Sequence, residues 1–269
     1  MAAENIIEVK GLVLREVNIG EADKLLTVLT SEYGKLTVRA YGARSLKSRL
    51  INIARIMSYS TMQLRRKPSG SLSIKDADLG NGFFELYSRL EGLTLGQYFI
   101  TLCDELTGED MPDDGMLSLT LNALYAINTR KYPDDMVKAA YELRAMAQCG
   151  YRPETDACGV CGNALSAENA PYLVDAPGGC LLCRECAEKR KITEAVRVIP
   201  APMTSCELSC AAYEAVRHTL DCPVKRLFAF RLDEKAASEY TRACELYSVT
   251  HIGRELKPLK FYKTLLGNI

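Results

Sequence analysis

The sequence predicts a multi-domain α+β protein: an N-terminal five-stranded OB-type β-barrel, then an α-helical domain with an inserted four-cysteine zinc motif. Three observations predict it. Residues 6–78 divide into five short apolar runs separated by turn residues. From about residue 83 the apolar spacing lengthens to three and four, the helical period. Two Cys-x2-Cys pairs, Cys158/Cys161 and Cys183/Cys186, then interrupt the helical part. The expected boundaries are 1–80 for the barrel, 81–269 for the helical domain and 155–190 for the insertion.

The strands come first. "IIEVKGLVLREVN" mixes β-branched and alternating positions. "DKLLTVLTSEYGKLTVRAYG" places two apolar runs around Ser31-Glu32-Tyr33-Gly34, a hairpin signal because glycine supplies a positive φ. "ARIMSYSTMQLRRKPSGSLSIKDADL" repeats the pattern around Lys67-Pro68-Ser69-Gly70. A small antiparallel sheet has exposed edges, and closure removes them, so a barrel is expected. The OB topology is favoured; a small SH3-like barrel fits the pattern almost as well.

Three helices follow, in "FFELYSRLEGLTLGQYFITLCDELT", "GMLSLTLNALYAINTRK" and "YPDDMVKAAYELRAMAQCG", the last stopped by Gly150. After the cysteine segment, helices are expected again in "TSCELSCAAYEAVRHTL", where Thr204 and Glu207 have capping-box spacing. That helix would place Cys206 and Cys210 on one face. "DEKAASEYTRACELYSVTHIGREL" forms another helix, with Pro258 as the last breaker.

An odd count of eleven cysteines in a chain of 269 residues argues against a disulfide scaffold. Cys103, Cys149, Cys206, Cys210, Cys222 and Cys244 are expected to be small core residues. The other five lie in "CGVCGNALSAENAPYLVDAPGGCLLCRECAEK". Each Cys-x2-Cys makes a tight knuckle that aims two thiolates at one ion, and four thiolates suit zinc. Cys180 also forms a Cys-x2-Cys with Cys183 and competes for the second pair. Cys186 is favoured because it opens a helical run, whereas Cys180 directly follows Gly178-Gly179. The expected ligands are Cys158, Cys161, Cys183 and Cys186. A closed shell of four thiolates leaves no position for a reacting water, so one structural zinc is expected.

Net charge is zero, but it is unevenly spread. Residues 1–80 carry 13 Lys+Arg against 8 Asp+Glu, and the remainder is correspondingly acidic. Residues 33–75 contain ten basic residues and no acid. Such a run points to a polyanion. Lys35, Arg39, Arg44, Lys47 and Arg49 are the first candidates for DNA phosphates, with Arg65, Arg66 and Lys67 second. Tyr33, Tyr41 and Tyr59 accompany them as candidate stacking rings. There is no phosphate-binding loop, dinucleotide fingerprint or GxSxG motif. Glu21 and Asp23 suggest a metal-dependent nuclease only weakly, because a third acid is missing. No enzyme is expected. The N-terminus lacks the features of a signal peptide, and no run approaches the ~20 apolar residues of a membrane span. A cytoplasmic location, at the nucleoid and away from membranes, is expected.

"KGLVLREVNIGEADKLLTVLTSEYGKLTVRAYGARSLKSRL", the Cys-x2-Cys…Gly-Gly…Cys-x2-Cys insertion and "HIGRELKPLKFYKTLL" together resemble the bacterial RecO family of recombination mediators. The resemblance covers nearly the whole chain. It implies a non-catalytic DNA repair and recombination role: binding single- and double-stranded DNA, annealing complementary strands and helping to load the RecA recombinase with RecR. RecF in one pathway and the acidic C-terminal tail of single-stranded-DNA-binding protein are the further implied partners. For that tail, Arg242, Arg254, Lys257 and Lys260, beside apolar residues of the last helices, are the candidate site. The competing reading is a zinc-ribbon interaction or transcription-type protein without annealing activity.

Overall fold

The computed structural model describes residues 5–109, 111–195 and 205–267. By internal packing they form two compact units, one comprising residues up to Thr129 plus those from Lys257 onward, the other Arg130–Leu256.

The first unit opens with β1 (Asn5–Ile19), β2 (Asp23–Thr30), β3 (Gly34–Ala40), β4 (Tyr59–Arg66) and β5 (Leu72–Asn81). They close into a barrel in the order β1-β2-β3-β5-β4, with β4 paired back to β1 and β3 parallel to β5. This is the expected OB-type topology. Strand alternation decides which side chains fill it. In β3, Leu36, Val38 and Ala40 are buried, while Lys35, Thr37 and Arg39 take the outer face. Val9, Val13, Leu26, Val28, Met62 and Leu64 complete the interior. Gly34 closes the β2–β3 hairpin at φ 65. A Cβ there would also lie 2.5 Å from the Met111 backbone, so no other residue fits. Gly70, at φ 84, closes the β4–β5 hairpin as expected.

Three helices complete this unit: α1 (Leu90–Leu106), α2 (Asp114–Thr129) and α7 (Lys257–Leu265). α1 is apolar around most of its circumference, and α2 and α7 both pack on it. The Asp113 carboxylate accepts the Met116 N–H at 2.8 Å and so caps α2. Pro258 does not break the chain. It occupies the second position of α7, where a missing N–H costs nothing.

The second unit contains α3 (Asp134–Gln148), β6 (Glu154–Cys158), β7 (Tyr172–Asp175), β8 (Cys180–Leu182), α4 (Arg184–Ala195), β9 (Ser205–Leu208), α5 (Cys210–Asp221) and α6 (Glu234–Ile252). The cysteine segment is built on a four-stranded sheet of order β6-β8-β7-β9. Two expectations fail here. Ser205–Leu208 is a strand paired with Tyr172–Asp175, not the first turn of a helix. The capping box is therefore absent; Glu207 lies in β9, and Thr204 falls outside the described residues. Cys206 and Cys210 share no helix face, since Cys206 is buried in β9 and Cys210 is exposed at the start of α5. Of the six scattered cysteines, Cys103, Cys206 and Cys244 are buried, while Cys149 and Cys222 are only partly so.

α5 ends under two arginines. Arg144 donates to the Thr219, Leu220 and Cys222 carbonyls, and Arg152 donates to Leu220 O at 2.9 Å. These satisfy carbonyls that a helix C-terminus leaves open, and they carry the charge its dipole favours. Beside them, Lys138 is buried between Glu142 at 3.0 Å and Glu245 at 2.7 Å, tying α3 to α6.

Candidate metal centre and nucleic-acid interface

The metal centre lies in the second unit. β6 delivers Cys158 at its end, and the chain turns back at once, with Gly162 N–H donating to Cys158 O at 2.9 Å. This knuckle presents Cys161. Across the sheet, β8 ends just before Cys183, which stands at the start of α4, its carbonyl accepting the Ala187 N–H at 2.9 Å. Cys186 follows in the first turn of α4. The sulfur atoms of Cys158, Cys161, Cys183 and Cys186 all lie within 4.8 Å of one another. Cys161 and Cys183 are 3.7 Å apart. A tetrahedral ion with metal–sulfur bonds of ~2.3 Å sets its sulfurs roughly 3.8 Å apart, so the four fit such an ion.

The local electrostatics fit a cation too. Burial pushes the Cys158 thiol up, but the N–H groups of Cys161, Cys183 and Val160 outweigh it and hold the thiol at about 6. The Cys183 N–H reaches this sulfur at 3.3 Å. Cys186 is pushed up to about 12, first by burial and then by the neighbouring thiols. Four sulfurs this close cannot all ionise unaided. A dication removes that conflict, and the N-terminus of α4 adds a favourable dipole. Cys180 stands beside the four without joining them. It begins β8, and its sulfur occupies the space over Gly159, where a Cβ would approach it to 2.2 Å.

The candidate DNA-binding residues, Lys35 to Lys67, all lie in the first unit. A groove of about 580 Å³ runs along the outer face of the barrel. Lys35, Arg39, Tyr41, Arg66 and Lys67 line it, together with Gly70 and one acid, Glu109. Its centre is a linked set of side chains. Asp23 accepts from the Gly42 N–H at 2.9 Å and from Arg39 at 2.8 Å, and these, the Gly42 N–H first, hold its carboxyl below the usual range. The Arg39 guanidinium lies 4.7 Å from the centre of the Tyr41 ring. From the β4–β5 turn, Lys67 donates to the Tyr41 hydroxyl at 2.8 Å and lowers its pKa. An exposed aromatic ring framed by two cations is a surface suited to a base and its phosphates.

The remaining candidates are distributed around this set. Arg44 donates to Gly20 O at 2.8 Å in the β1–β2 turn, and Lys47 and Arg49 are exposed on the loop that follows β3. Arg65 and Arg66 are exposed at the end of β4. Lys35 differs from the others. Its ammonium donates to Asp104 O at 2.9 Å and to the Asp104 carboxylate at 3.1 Å, and Arg15 pairs with the same carboxylate. Lys35 therefore ties β3 to the end of α1. Tyr33 is half-exposed on the β2–β3 turn, whereas burial raises the pKa of Tyr59. The Asp23 carboxylate is engaged by Arg39 and the Gly42 N–H. What sequence reasoning missed is the role of Asp23 as the brace of Arg39, a pairing between residues 16 apart.

The candidate peptide residues are not gathered in one unit. Arg242 lies on α6 and Arg254 just beyond its end, in the second unit; Lys257 and Lys260 lie on α7, in the first. Arg242 lines a shallow groove with Cys206, Glu207 and Glu239. On α7, Lys257 and Lys260 are exposed, and Phe261 is half-exposed beside them. No helix among the described residues is long and apolar enough to cross a membrane.

Residues 1–83 match the family described as "Recombination protein O N terminal", and residues 87–260 match "Recombination protein O C terminal". A "DNA repair protein RecO" of Acetivibrio thermocellus is 27% identical over 262 residues, covering 97% of this chain and 98% of its own. One from Symbiobacterium thermophilum is 26% identical, again over 97% of this chain and 98% of its own. One from Exiguobacterium sibiricum is 32% identical over 179 residues, 66% of this chain and 70% of its own. With both family domains matched in order across nearly its whole length, on an OB-type barrel followed by helices and a four-cysteine cluster, the chain belongs to the RecO family.

Proposed function

We propose that this protein is a DNA repair and recombination mediator that binds single- and double-stranded DNA through its barrel. In this reading it anneals complementary strands and helps load the RecA recombinase with RecR. The observation that carries it is the groove where Arg39, Tyr41, Arg66 and Lys67, all from an acid-free stretch of 43 residues, outnumber the one acid of its lining, Glu109. Arginines and lysines on phosphates, with a ring for bases, bind without reading sequence, which is what annealing any pair of strands needs. Arg39, Arg44, Lys47, Arg49, Arg65, Arg66 and Lys67 are the contacting cations. Lys35 supports β3 from its bond with Asp104. The role is non-catalytic, and the cytoplasm, at the nucleoid, is the site of action.

The ion for the four cysteines is zinc, one per chain, held for shape. The acidic tail of single-stranded-DNA-binding protein is the proposed peptide partner, with Arg242, Arg254, Lys257 and Lys260 as its candidate cations; RecR and RecF are the proposed protein partners. Both come from the family, and the exposed Lys257 and Lys260 beside Phe261 suit a peptide that ends in carboxylate and ring.

Fluorescence anisotropy of labelled oligonucleotides tests the DNA reading. Affinity should fall steeply between low and moderate salt, by about 10³-fold or more if some six phosphates are neutralised. Arg39→Glu with Arg44→Glu should weaken single strands of every sequence alike. Salt-independent binding would sink the reading.

A further inference from the structure

The loop between β3 and β4 carries a feature that phosphate binding does not use. Leu46 is 90% exposed, the most exposed large apolar side chain among the described residues. Single exposed leucines are common and need no function. This one differs in its setting. Arg44, Lys47 and Arg49 flank it in sequence, all exposed, in a stretch without an acid. The loop is also held in place from both ends. Before Leu46, Arg44 N–H donates to Ala22 O at 2.9 Å and Ala43 is buried in the barrel core. After it, Ile53 and Ala54 enter the same core. Between these anchors the chain makes consecutive tight turns, with Ser45 N–H to Gly42 O at 3.1 Å and Ser48 N–H to Ser45 O at 2.9 Å. The Ser48 hydroxyl accepts the Leu50 N–H at 3.2 Å, a second local brace. A braced loop that exposes one apolar side chain between cations is complementary to a polyanion with an apolar interior. A stack of nucleic-acid bases is that object.

We infer that Leu46 is a wedge that enters between neighbouring bases of bound DNA while Arg44, Lys47 and Arg49 hold the flanking phosphates. The inference rests on the DNA-binding reading and adds a mechanical step to it. Apolar side chains inserted at a base step unstack it, at a cost repaid by contacts to the distorted backbone. Local unstacking exposes base edges, which is the state in which strands exchange partners. Leu46 makes no hydrogen bond, so its contribution is to DNA shape, separable from affinity.

The experiment uses the full chain and DNA carrying 2-aminopurine, whose fluorescence rises on unstacking, as duplex and as single strand of the same sequence. Anisotropy on the same samples reads binding. Wild type should raise the fluorescence of the duplex. Leu46→Ala should abolish most of that rise while affinity changes by less than about threefold, because phosphate contacts dominate binding. Leu46→Phe should retain the rise. Thermal midpoints of both variants should match wild type, since the side chain packs on nothing. An unchanged fluorescence rise in Leu46→Ala overturns the wedge and leaves DNA binding standing. Equal loss of anisotropy and fluorescence also overturns it, making Leu46 a general contact. A rise confined to the single strand overturns the duplex-opening step. Absence of binding by wild type overturns both this inference and the DNA reading.

Discussion

Asp104 shows how one buried carboxylate sorts the basic residues. Its side chain is 5% exposed and is met by Lys35, itself only 11% exposed, and by the more open Arg15. Removing one partner of a buried pair costs about 3–5 kcal/mol; with Arg15 in water, about 2–3 kcal/mol is expected for Asp104→Asn. Lys35→Met should likewise lower thermal stability yet leave DNA affinity nearly unchanged. Arg49→Ala should do the reverse, since Arg49 is exposed on its loop. Calorimetry beside anisotropy checks both, and a large affinity loss in stable Lys35→Met would return Lys35 to the DNA surface. The cysteines divide in the same way. Cys186→Ser removes one of four gathered sulfurs and should lose most of the bound zinc by elemental analysis. Cys180→Ser should keep about one zinc per chain, because four thiolates already close the tetrahedron. Metal lost from Cys180→Ser and kept in Cys186→Ser would exchange the two assignments.

At the scale of elements, the barrel was legible because β3 and β4 declare a buried face by alternation, and its two hairpins carry Gly34 and Gly70 where positive φ is needed. Helices α1 to α3 and α6 were legible from long apolar periods. β9 was not. "SCEL" is four residues, too short to display a period, and its identity comes from pairing with Tyr172–Asp175 some thirty residues earlier. A Thr-x-x-Glu spacing beside a real helix then imitates a cap. The sheet around the cysteines was hidden for the same reason, since β8 is three residues long. The four sulfurs were legible because metal geometry fixes their spacing in the chain. The partners of Asp23 and Lys35 were not, because an ion pair 16 or 69 residues apart leaves no local mark. Arg144 is a similar case: three carbonyls at the end of α5 depend on it. Arg144→Ala should cost about 2 kcal/mol or more, as buried carbonyls lose charged donors. Arg144→Lys, lacking the planar fork, should recover only part of it. Denaturant melts of the three proteins decide this, and a melt of Arg144→Ala that matches wild type would dismiss the capping role.

The whole molecule separates its two chemistries. The cations of the groove and of the Leu46 loop belong to the unit that includes the barrel, and the cysteine cluster belongs to Arg130–Leu256. Each unit has its own core: Val13, Leu26, Val38 and Met62 in one, Tyr141, Tyr213, Leu182 and Tyr240 in the other. A metal that staples β6, β8 and α4 therefore stabilises the second unit directly. Removing it leaves the sulfurs of Cys158 and Cys161 with no common partner across the sheet. β7 and β8 are only four and three residues long, so few ladder hydrogen bonds hold this region without the tie. Treating the protein with a strong chelator should lower the midpoint of the second unit's unfolding by about 10 °C, for a loss near 3 kcal/mol in a unit of this size. Single-strand affinity at fixed salt should change by less than about twofold, because the phosphate contacts that set it lie on the barrel. Zinc added back should restore the midpoint. The same chelated sample, measured for both quantities, gives the decision: affinity that collapses in step with metal loss would place the DNA surface on the cysteine unit and overturn the assignment to the barrel.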